Sequence, residues 1–430
     1  MISRDDRIGG ELPAGSVMAA MSGGVDSSVC ALLLQRAGCD VRGATMVLHG
    51  DVAAGAGGAA AWSEGAVCGS SRDVEDARAV CRHLGIPHDA FDLRDRFDAA
   101  VVRPFCEAYL TGRTPNPCID CNRYLKFEAL QQRRRELGLR YVATGHYARR
   151  RWDEVSGRWQ LLRAADVAKD QSYVLYHLTQ DTLAHMLFPL GDLTKNEVRA
   201  LARDHGFTTA DKPESQDICF VPDGDYAGFI EGWCRVRDCE GAVSRASLMR
   251  GIEGGLKAAP TETRLAGMGE NPKAALAEAG LAIASAADAF APGEIVDHAG
   301  RVLGQHAGLI HYTVGQRKGI GVAAREPLYV LGKDNTANRL VVGFRDELES
   351  RGVVARDVNL IGGDALGGPR RVRVKTHYRQ RPVDATVEQT GPDELTVVFA
   401  EPQRAAAPGQ AVVVYDGELV IGGGTAARSF

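Results

Sequence analysis

Residues 21–28 read MSGGVDSS and lie between two apolar runs, residues 15–20 (GSVMAA) and residues 29–34 (VCALLL). The first run has the composition of a buried parallel strand and the second that of a helix. The junction therefore predicts the carboxyl edge of a βαβ unit, where α/β sheets bind ligands. Gly23 and Gly24 let backbone N–H groups approach an anion closely, and the start of a helix adds partial positive charge. Asp26, Ser27 and Ser28 are placed to cap the first turn. Phosphate is the ligand this combination suits. The stretch lacks the Gly-Lys-Ser/Thr ending of a P-loop, so it holds no lysine cradle for β- and γ-phosphates.

The rest of the chain sets bounds. Its 430 residues exceed one ordinary core and predict two or three domains. A hydrophobic content of 45% and a mean hydropathy of −0.17 describe a soluble globular protein. Arg4, Asp5, Asp6 and Arg7 have no apolar core behind them, and no apolar run would span a bilayer, so a cytoplasmic protein without a membrane partner is expected. Ten cysteines in that compartment point to packing, catalysis or metal binding rather than disulfide staples. A net charge of −4 excludes a uniformly basic nucleic-acid binder but leaves local patches at 133–135, 149–151 and 370–381.

The first half alternates strand-like and helix-like segments, the α/β pattern. Strands are expected at 41–48, 86–93 and 141–144, and an amphipathic helix over 74–84, begun by Ser71 and Asp73. A Gly/Ala-rich loop fills 51–70. From about Phe220 the pattern changes, with an insert near 231–290 that includes an alanine-rich helical stretch at 274–291. From Val353 onward, short alternating segments at 371–377, 394–399 and 411–415, separated by turn residues, have the rhythm of a small β-barrel or sandwich. The expected fold is an α/β nucleotide domain over 1–222, a small central domain over 223–349 and a C-terminal β-barrel over 350–430.

A second stretch, TGRTPNPCIDCNRYLKF at 111–127, carries further chemistry. Two prolines flank Asn116, and Cys118 and Cys121 follow at C-x-x-C spacing ahead of a helix expected from Arg123. A helix N-terminus stabilises a thiolate, the reactive form of cysteine. The spacing alone is divided between half a zinc site, a redox pair and coincidence.

MSGGVDSS resembles the SGGxDS signature of the ATP pyrophosphatases, which split ATP between its α- and β-phosphates. Together with TPNPCIDCNRYLKF, ATGHYAR at 143–149, KDQSYVL at 169–175, SQDICF at 215–220, YTVGQRKGIG at 312–321 and VKTHYRQ at 374–380, it is similar to the tRNA-specific 2-thiouridylase family over nearly the whole chain. The resemblance implies an adenylation domain that uses ATP and Mg2+, and a barrel that grips tRNA bearing U34, of the Lys, Glu and Gln types. It also implies a sulfur donor such as a cysteine desulfurase or sulfur-relay protein. By motif match, Cys219 would carry a persulfide and Cys121 would act as the nucleophile that frees its sulfur. ATP contacts would fall on Ala20, Met21, Ser22, Gly23, Gly24, Val25, Asp26, Ser27, Met46 and Gly145. RNA contacts would fall on Asn116, Pro117, Cys118, His146, Lys169, Asp170, Gln171, His377, Tyr378 and Gln410. Core packing is the competing reading for Met46 and His146, and helix-start chemistry for residues 169–171.

One departure matters. Better-known members of the family carry aspartate where this chain has Cys118. Three thiolates at Cys118, Cys121 and Cys219 are the right number to hold a [4Fe–4S] cluster with one open iron, an alternative sulfur carrier. A spare thiol at Cys118 is the simpler reading. Cys30, Cys39, Cys68, Cys81 and Cys106 are expected to be packing residues, and Cys234 and Cys239 in the insert carry no assigned role.

Overall fold

β1 (Ser16–Ala20) runs directly into the phosphate loop, and the sheet is built outward from it. β2 (Asp40–Val47) and β4 (Tyr141–Ala143) flank β1, and β3 (His88–Asp92) extends the β2 side. β7 (Met186–Leu187) completes a five-stranded parallel sheet of order β3-β2-β1-β4-β7. The order reverses beside β1, which puts the topological switch point at the carboxyl end of β1, where residues 21–24 lie. Burial on both faces explains the small, uninterrupted apolar sequence: Val17, Met18 and Ala19 are inaccessible. A computed structural model describes residues 12–48, 69–212, 218–221, 224–236, 289–363 and 365–430.

α1 (Val25–Arg36) follows the loop and is buried from Val25 to Leu34. Its N-cap is Gly24, with no side-chain cap. The hydroxyls of Ser27 and Ser28 instead donate back to the Gly24 carbonyl, at 3.0 and 2.9 Å, so the serine cap expected from sequence is not made. α2 (Ser71–Leu84) starts one residue later than its cap, Ser70, which forms a capping box with Asp73. Most of the expected loop at 51–70, including Cys68, lies outside the described residues. So does nearly all of the insert, including Cys239 and most of the alanine-rich stretch.

β5 (Ala148–Asp153) and β6 (Arg158–Arg163) form a hairpin that leaves the nucleotide domain. In the central region β8 (Gly293–Val296), β9 (Val302–His306), β10 (Tyr329–Asp334) and β11 (Arg339–Gly343) make a sheet of order β10-β11-β8-β9 over Ile295, Val330, Leu340 and Val342.

The C-terminal strands are β12 (Glu349–Leu360), β13 (Arg370–Lys375), β14 (Val383–Gly391), β15 (Glu394–Arg404), β16 (Ala411–Asp416) and β17 (Leu419–Ser429). They pair antiparallel in the order β12-β15-β14-β13-β16-β17, and β17 returns to β12, closing a barrel around Val353, Val374, Leu395, Val397 and Val412. Closure removes the exposed strand edges. The β5–β6 hairpin joins this sheet through Leu162 opposite Leu419.

Candidate active site

The phosphate loop holds its shape through contacts that its own sequence does not announce. Gly23 has φ +69°, and a Cβ there would lie 2.6 Å from the Asp73 carbonyl oxygen, so only glycine fits. The Ser22 N–H donates to Ser27 Oγ at 3.2 Å, closing the loop on itself. Asp26 turns away from its own helix. Its carboxylate accepts from Lys195 Nζ at 2.7 and 2.8 Å and from the Tyr147 hydroxyl at 2.9 Å. Gly145 passes so close that a Cβ would lie 2.9 Å from the Asp26 carbonyl carbon and the Ser27 nitrogen. Gly145 thus abuts the loop.

Lys212 reaches the other side of the loop, donating to the Gly23 carbonyl at 3.1 Å, to Asp73 Oδ1 at 2.8 Å and to Asp76 Oδ2 at 2.7 Å. Burial disfavours its charge, but the two carboxylates outweigh that and hold its pKa above the usual lysine value. Ala20, Met46 and Phe91, near the carboxyl ends of β1, β2 and β3, each pack against one core cluster, and Met46 also packs against the apolar cluster that the cysteines border.

The C-x-x-C pair sits inside a helix. The expected start at Arg123 is six residues too late: Asn116 caps a turn over Pro117–Asp120, its side chain accepting from the Cys118 N–H at 3.2 Å. The helix continues as a π-helical stretch over Cys121–Ala129 and then as Leu130–Glu136. Such wide turns accompany functional sites in many proteins. Cys118 is exposed, whereas Cys121 and Cys219 are half-buried and pack against one cluster that includes Leu48, Phe105, Leu125 and Phe220. Both cysteines that the motif match paired thus border the same apolar cluster.

Among the described residues, no group of three or more His, Cys, Asp or Glu side chains is arranged to hold a metal ion. Cys118, Cys121 and Cys219 accordingly do not form such a group. Burial pushes the thiol pKa of Cys30 far up, and that of Cys81 up to about 11, the behaviour of inert packing residues. Cys39, Cys106 and Cys234 are likewise buried.

The residues expected to meet RNA divide. Tyr378 is exposed, its ring edge-on to Tyr173 at 6.0 Å, with the Lys375 ammonium near both rings. His377 is partly buried and within 2.9 Å of the Thr376 hydroxyl; burial, reinforced by Arg404, lowers its pKa. Asn116 and Lys169 are partly accessible.

Others are engaged within the protein. His146 is only 7% accessible, with Nδ1 2.8 Å from the Thr144 hydroxyl, and burial holds it well below the usual histidine range. It is a core histidine here, not a surface one. Asp170 is buried, accepting from Arg163 at 3.0 Å and from the backbone of Ala164 and Ser172. Gln171 accepts from the Tyr147 N–H at 2.9 Å. Pro117 is buried. Gln410 donates to the Thr114 carbonyl at 2.8 Å, tying a barrel loop to the strand of chain that leads into Asn116.

Lys195, Lys212 and Tyr147 escaped the reading of the sequence. Lys195 opens the helix Lys195–Asp204, where the dipole disfavours a cation, and its burial, which only the fold shows, is what calls for an acidic partner from elsewhere.

A sheet of nucleotide-domain topology with a phosphate loop at its switch point, joined to a closed antiparallel barrel, defines an α/β nucleotide-using enzyme with an appended barrel. Family models match in three pieces: the tRNA methyl transferase HUP domain over 15–223, the tRNA methyl transferase PRC-barrel domain over 286–344 and the aminomethyltransferase beta-barrel domain over 350–426. Curated relatives match almost end to end. The tRNA-specific 2-thiouridylase MnmA of Carboxydothermus hydrogenoformans is 43% identical, over 95% of this chain and 96% of its own. Its namesakes in Koribacter versatilis and Symbiobacterium thermophilum are 41% and 42% identical, over 95% and 98% of this chain and 98% and 94% of theirs. The methyltransferase wording belongs to the individual domains, and the full-length matches decide the family. The chain belongs to the tRNA-specific 2-thiouridylases, and it is an enzyme of the transferase class. No helix among the described residues is long and apolar enough to cross a membrane.

Proposed function

We propose that this enzyme replaces the C2 oxygen of U34 in tRNAs of the Lys, Glu and Gln types by sulfur, converting ATP to AMP and pyrophosphate in the cytoplasm. The carrying observation is that Cys121 and Cys219, far apart in sequence, pack on one apolar cluster that also touches Met46 at the edge of the phosphate-loop sheet.

The chemistry explains why both parts are needed. The uridine C2 oxygen is a poor leaving group. Attack of that oxygen on the α-phosphorus of ATP expels pyrophosphate and turns the oxygen into part of AMP. Backbone N–H groups at Gly23 to Ser27 and the start of α1 suit the polyphosphate. Mg2+ would arrive with the triphosphate and offset its charge. The terminal sulfur of a Cys219 persulfide then attacks C2. The Cys121 thiolate attacks the Cys219 sulfur, breaking the S–S bond and leaving the transferred sulfur on C2, while AMP departs with the former oxygen. The product is 2-thiouridine and a Cys121–Cys219 disulfide, which an external thiol reduces before a sulfur donor such as a cysteine desulfurase or relay protein reloads Cys219.

The test supplies the purified chain with ATP, Mg2+, a cysteine desulfurase with cysteine, and tRNA transcripts, and measures AMP and 2-thiouridine after nucleoside digestion. Both products are expected with U34 and neither with C34. AMP formation that ignores the RNA would overturn the reading.

A further inference from the structure

The barrel holds the cysteine helix at two points, one on each side of Cys118 and Cys121. Ahead of them, the backbone of Thr114 is bonded twice to the loop between β15 and β16. Its N–H donates to the Pro408 carbonyl at 2.7 Å, and its carbonyl accepts from Gln410 Nε2 at 2.8 Å. Gly409 has φ +94°, and a Cβ there would lie 3.1 Å from the Thr114 carbonyl carbon and oxygen, so glycine suits this close approach. The loop is anchored in turn to β17: the Gly409 N–H donates to the Ala426 carbonyl at 2.9 Å, and the Ala426 N–H donates to the Gln410 carbonyl at 2.7 Å. Pro115 and Pro117 restrict the chain between Thr114 and the helix, so a grip on Thr114 carries through to Asn116, which caps the first turn.

Beyond the cysteines, Arg123 Nη1 donates to Asp357 Oδ2 at 3.2 Å. Asp357 is built to present that carboxylate. It is a non-glycine residue with φ +54°, and it lies where the pairing of β12 with β17 shifts register between Arg356 and Asn359. Its N–H and that of Val358 donate to the Asp393 carboxylate at 3.2 and 2.6 Å. Such irregularities re-aim side chains, and aspartate is among the few residues that accept the left-handed backbone. The ion pair is partly exposed, so it adds little to stability, and its effect is one of placement. β12 and β17 are neighbours, with Ala355 opposite Ala426, so both grips come from one piece of the barrel wall.

We propose that Gln410 and Asp357 are positioning residues through which the barrel sets the angle of the helix that carries Cys118 and Cys121. The domain read as gripping tRNA thereby also aims the thiol read as releasing sulfur, and the loss of either contact slows sulfur transfer while leaving RNA affinity intact. Gln410 then acts through Thr114 and not through a base or phosphate of the RNA. The functional meaning of the clamp rests on the reading of Cys121 as the nucleophile; the clamp itself does not.

The experiment uses Gln410→Met, which keeps the length of the side chain but removes its donor, and Asp357→Asn, which keeps a residue suited to the left-handed backbone but removes the charge. Formation of 2-thiouridine is followed in a single turnover at saturating tRNA and ATP, on enzyme loaded by a cysteine desulfurase with cysteine, beside the affinity for tRNA. Each variant is expected to slow the saturated rate several-fold with the parental affinity. Arg123→Met is expected to match Asp357→Asn, and the two together to slow the reaction no further, because each breaks the same bond. Weaker tRNA binding in either Gln410→Met or Asp357→Asn, or a parental saturated rate in either, would overturn the proposal. If Gln410→Met does not fold, Gln410→Leu takes its place and the same outcomes decide. Amide hydrogen exchange over residues 116–123 reads the clamp without any reaction, and it is expected to be faster in both variants while peptides of β13 and β14 keep the parental rate. Parental exchange over 116–123 would overturn the clamp. Failure of the sulfur-transfer reading shows separately, as a parent chain that forms no 2-thiouridine while the exchange difference persists.

Discussion

Asp26 offers both carboxylate oxygens to Lys195, at 2.7 and 2.8 Å, across a separation of 169 residues. The only acidic group of the MSGGVDSS stretch is therefore matched to a cation from a different helix, and the Tyr147 hydroxyl completes its shell at 2.9 Å.

The first prediction follows from that pair. Asp26→Ala and Ser27→Ala are each expected to abolish tRNA-dependent pyrophosphate release. They should differ in stability. Asp26→Ala strips contacts from a lysine whose ammonium lies in a largely buried setting, a loss of about 1–3 kcal/mol, whereas Ser27→Ala removes hydroxyl bonds worth roughly 0.5–1.5 kcal/mol. Pyrophosphate assays beside thermal melts separate the two effects. Normal turnover in either folded variant would remove the loop from the mechanism.

Much of this arrangement was legible because it is local. Strand, glycine pair and helix are contiguous, so residues 15–34 alone placed the loop at a sheet's carboxyl edge. The helix start at Asn116-Pro117 is a signal that the expectation of a start at Arg123 passes over: an N-cap asparagine followed by proline at the first helical position, ahead of the cysteines. What stayed hidden is non-local. Nothing near Asp26 names Lys195, nothing near Gly23 names Lys212, and the β5–β6 hairpin gives no local sign that Leu162 will pair with Leu419 of the barrel. His146 shows the converse: a polar residue in a motif is spent on the core, satisfied by Thr144.

The barrel's exposed arginines supply the second prediction. Arg379 and Arg381 are both exposed, beyond the end of β13. If they meet RNA phosphates, neutralising both should weaken tRNA binding at low salt and flatten the salt dependence of log K by roughly one unit per lost contact. Binding titrations between about 50 and 200 mM salt measure the slope. A wild-type slope near zero would mean that this face does not grip RNA electrostatically.

Asp120, between the two cysteines of the C-x-x-C pair, leads to a dependence on pH. Burial raises its carboxyl to about 7, Arg123 works against that rise, and Asp357 adds to it. A carboxyl raised in the folded state contributes stability in full below its unfolded value of about 4, and the contribution is lost as pH climbs through about 7. Denaturant titrations from pH 4 to 8 should show stability falling across this window through Asp120, and Asp120→Asn should reduce the decline. An unchanged pH profile in that variant would show that another group titrates.

Cys118 decides how sulfur is carried. It is exposed in the first turn of the helix that begins at Pro117, and Cys121, packed against the Phe105 and Phe220 cluster, shares that cluster with Cys219. A relay needs only the half-buried pair. Cys118→Asp should therefore keep thiolation, and because a carboxylate suits a helix N-terminus it should cost no stability, with a gain of about 0.3–1 kcal/mol possible from the dipole. Cys121→Ser and Cys219→Ser should each abolish 2-thiouridine, the first by leaving no thiolate to break the persulfide bond, the second by leaving nothing to carry it. A three-thiolate iron site predicts otherwise at one position only: Cys118→Asp would lose iron, brown absorbance and activity together. The deciding measurement is 2-thiouridine formed by anaerobically prepared Cys118→Asp beside the iron content of variant and parent. An iron-free, inactive variant set against an iron-bearing, active parent would overturn the two-cysteine relay.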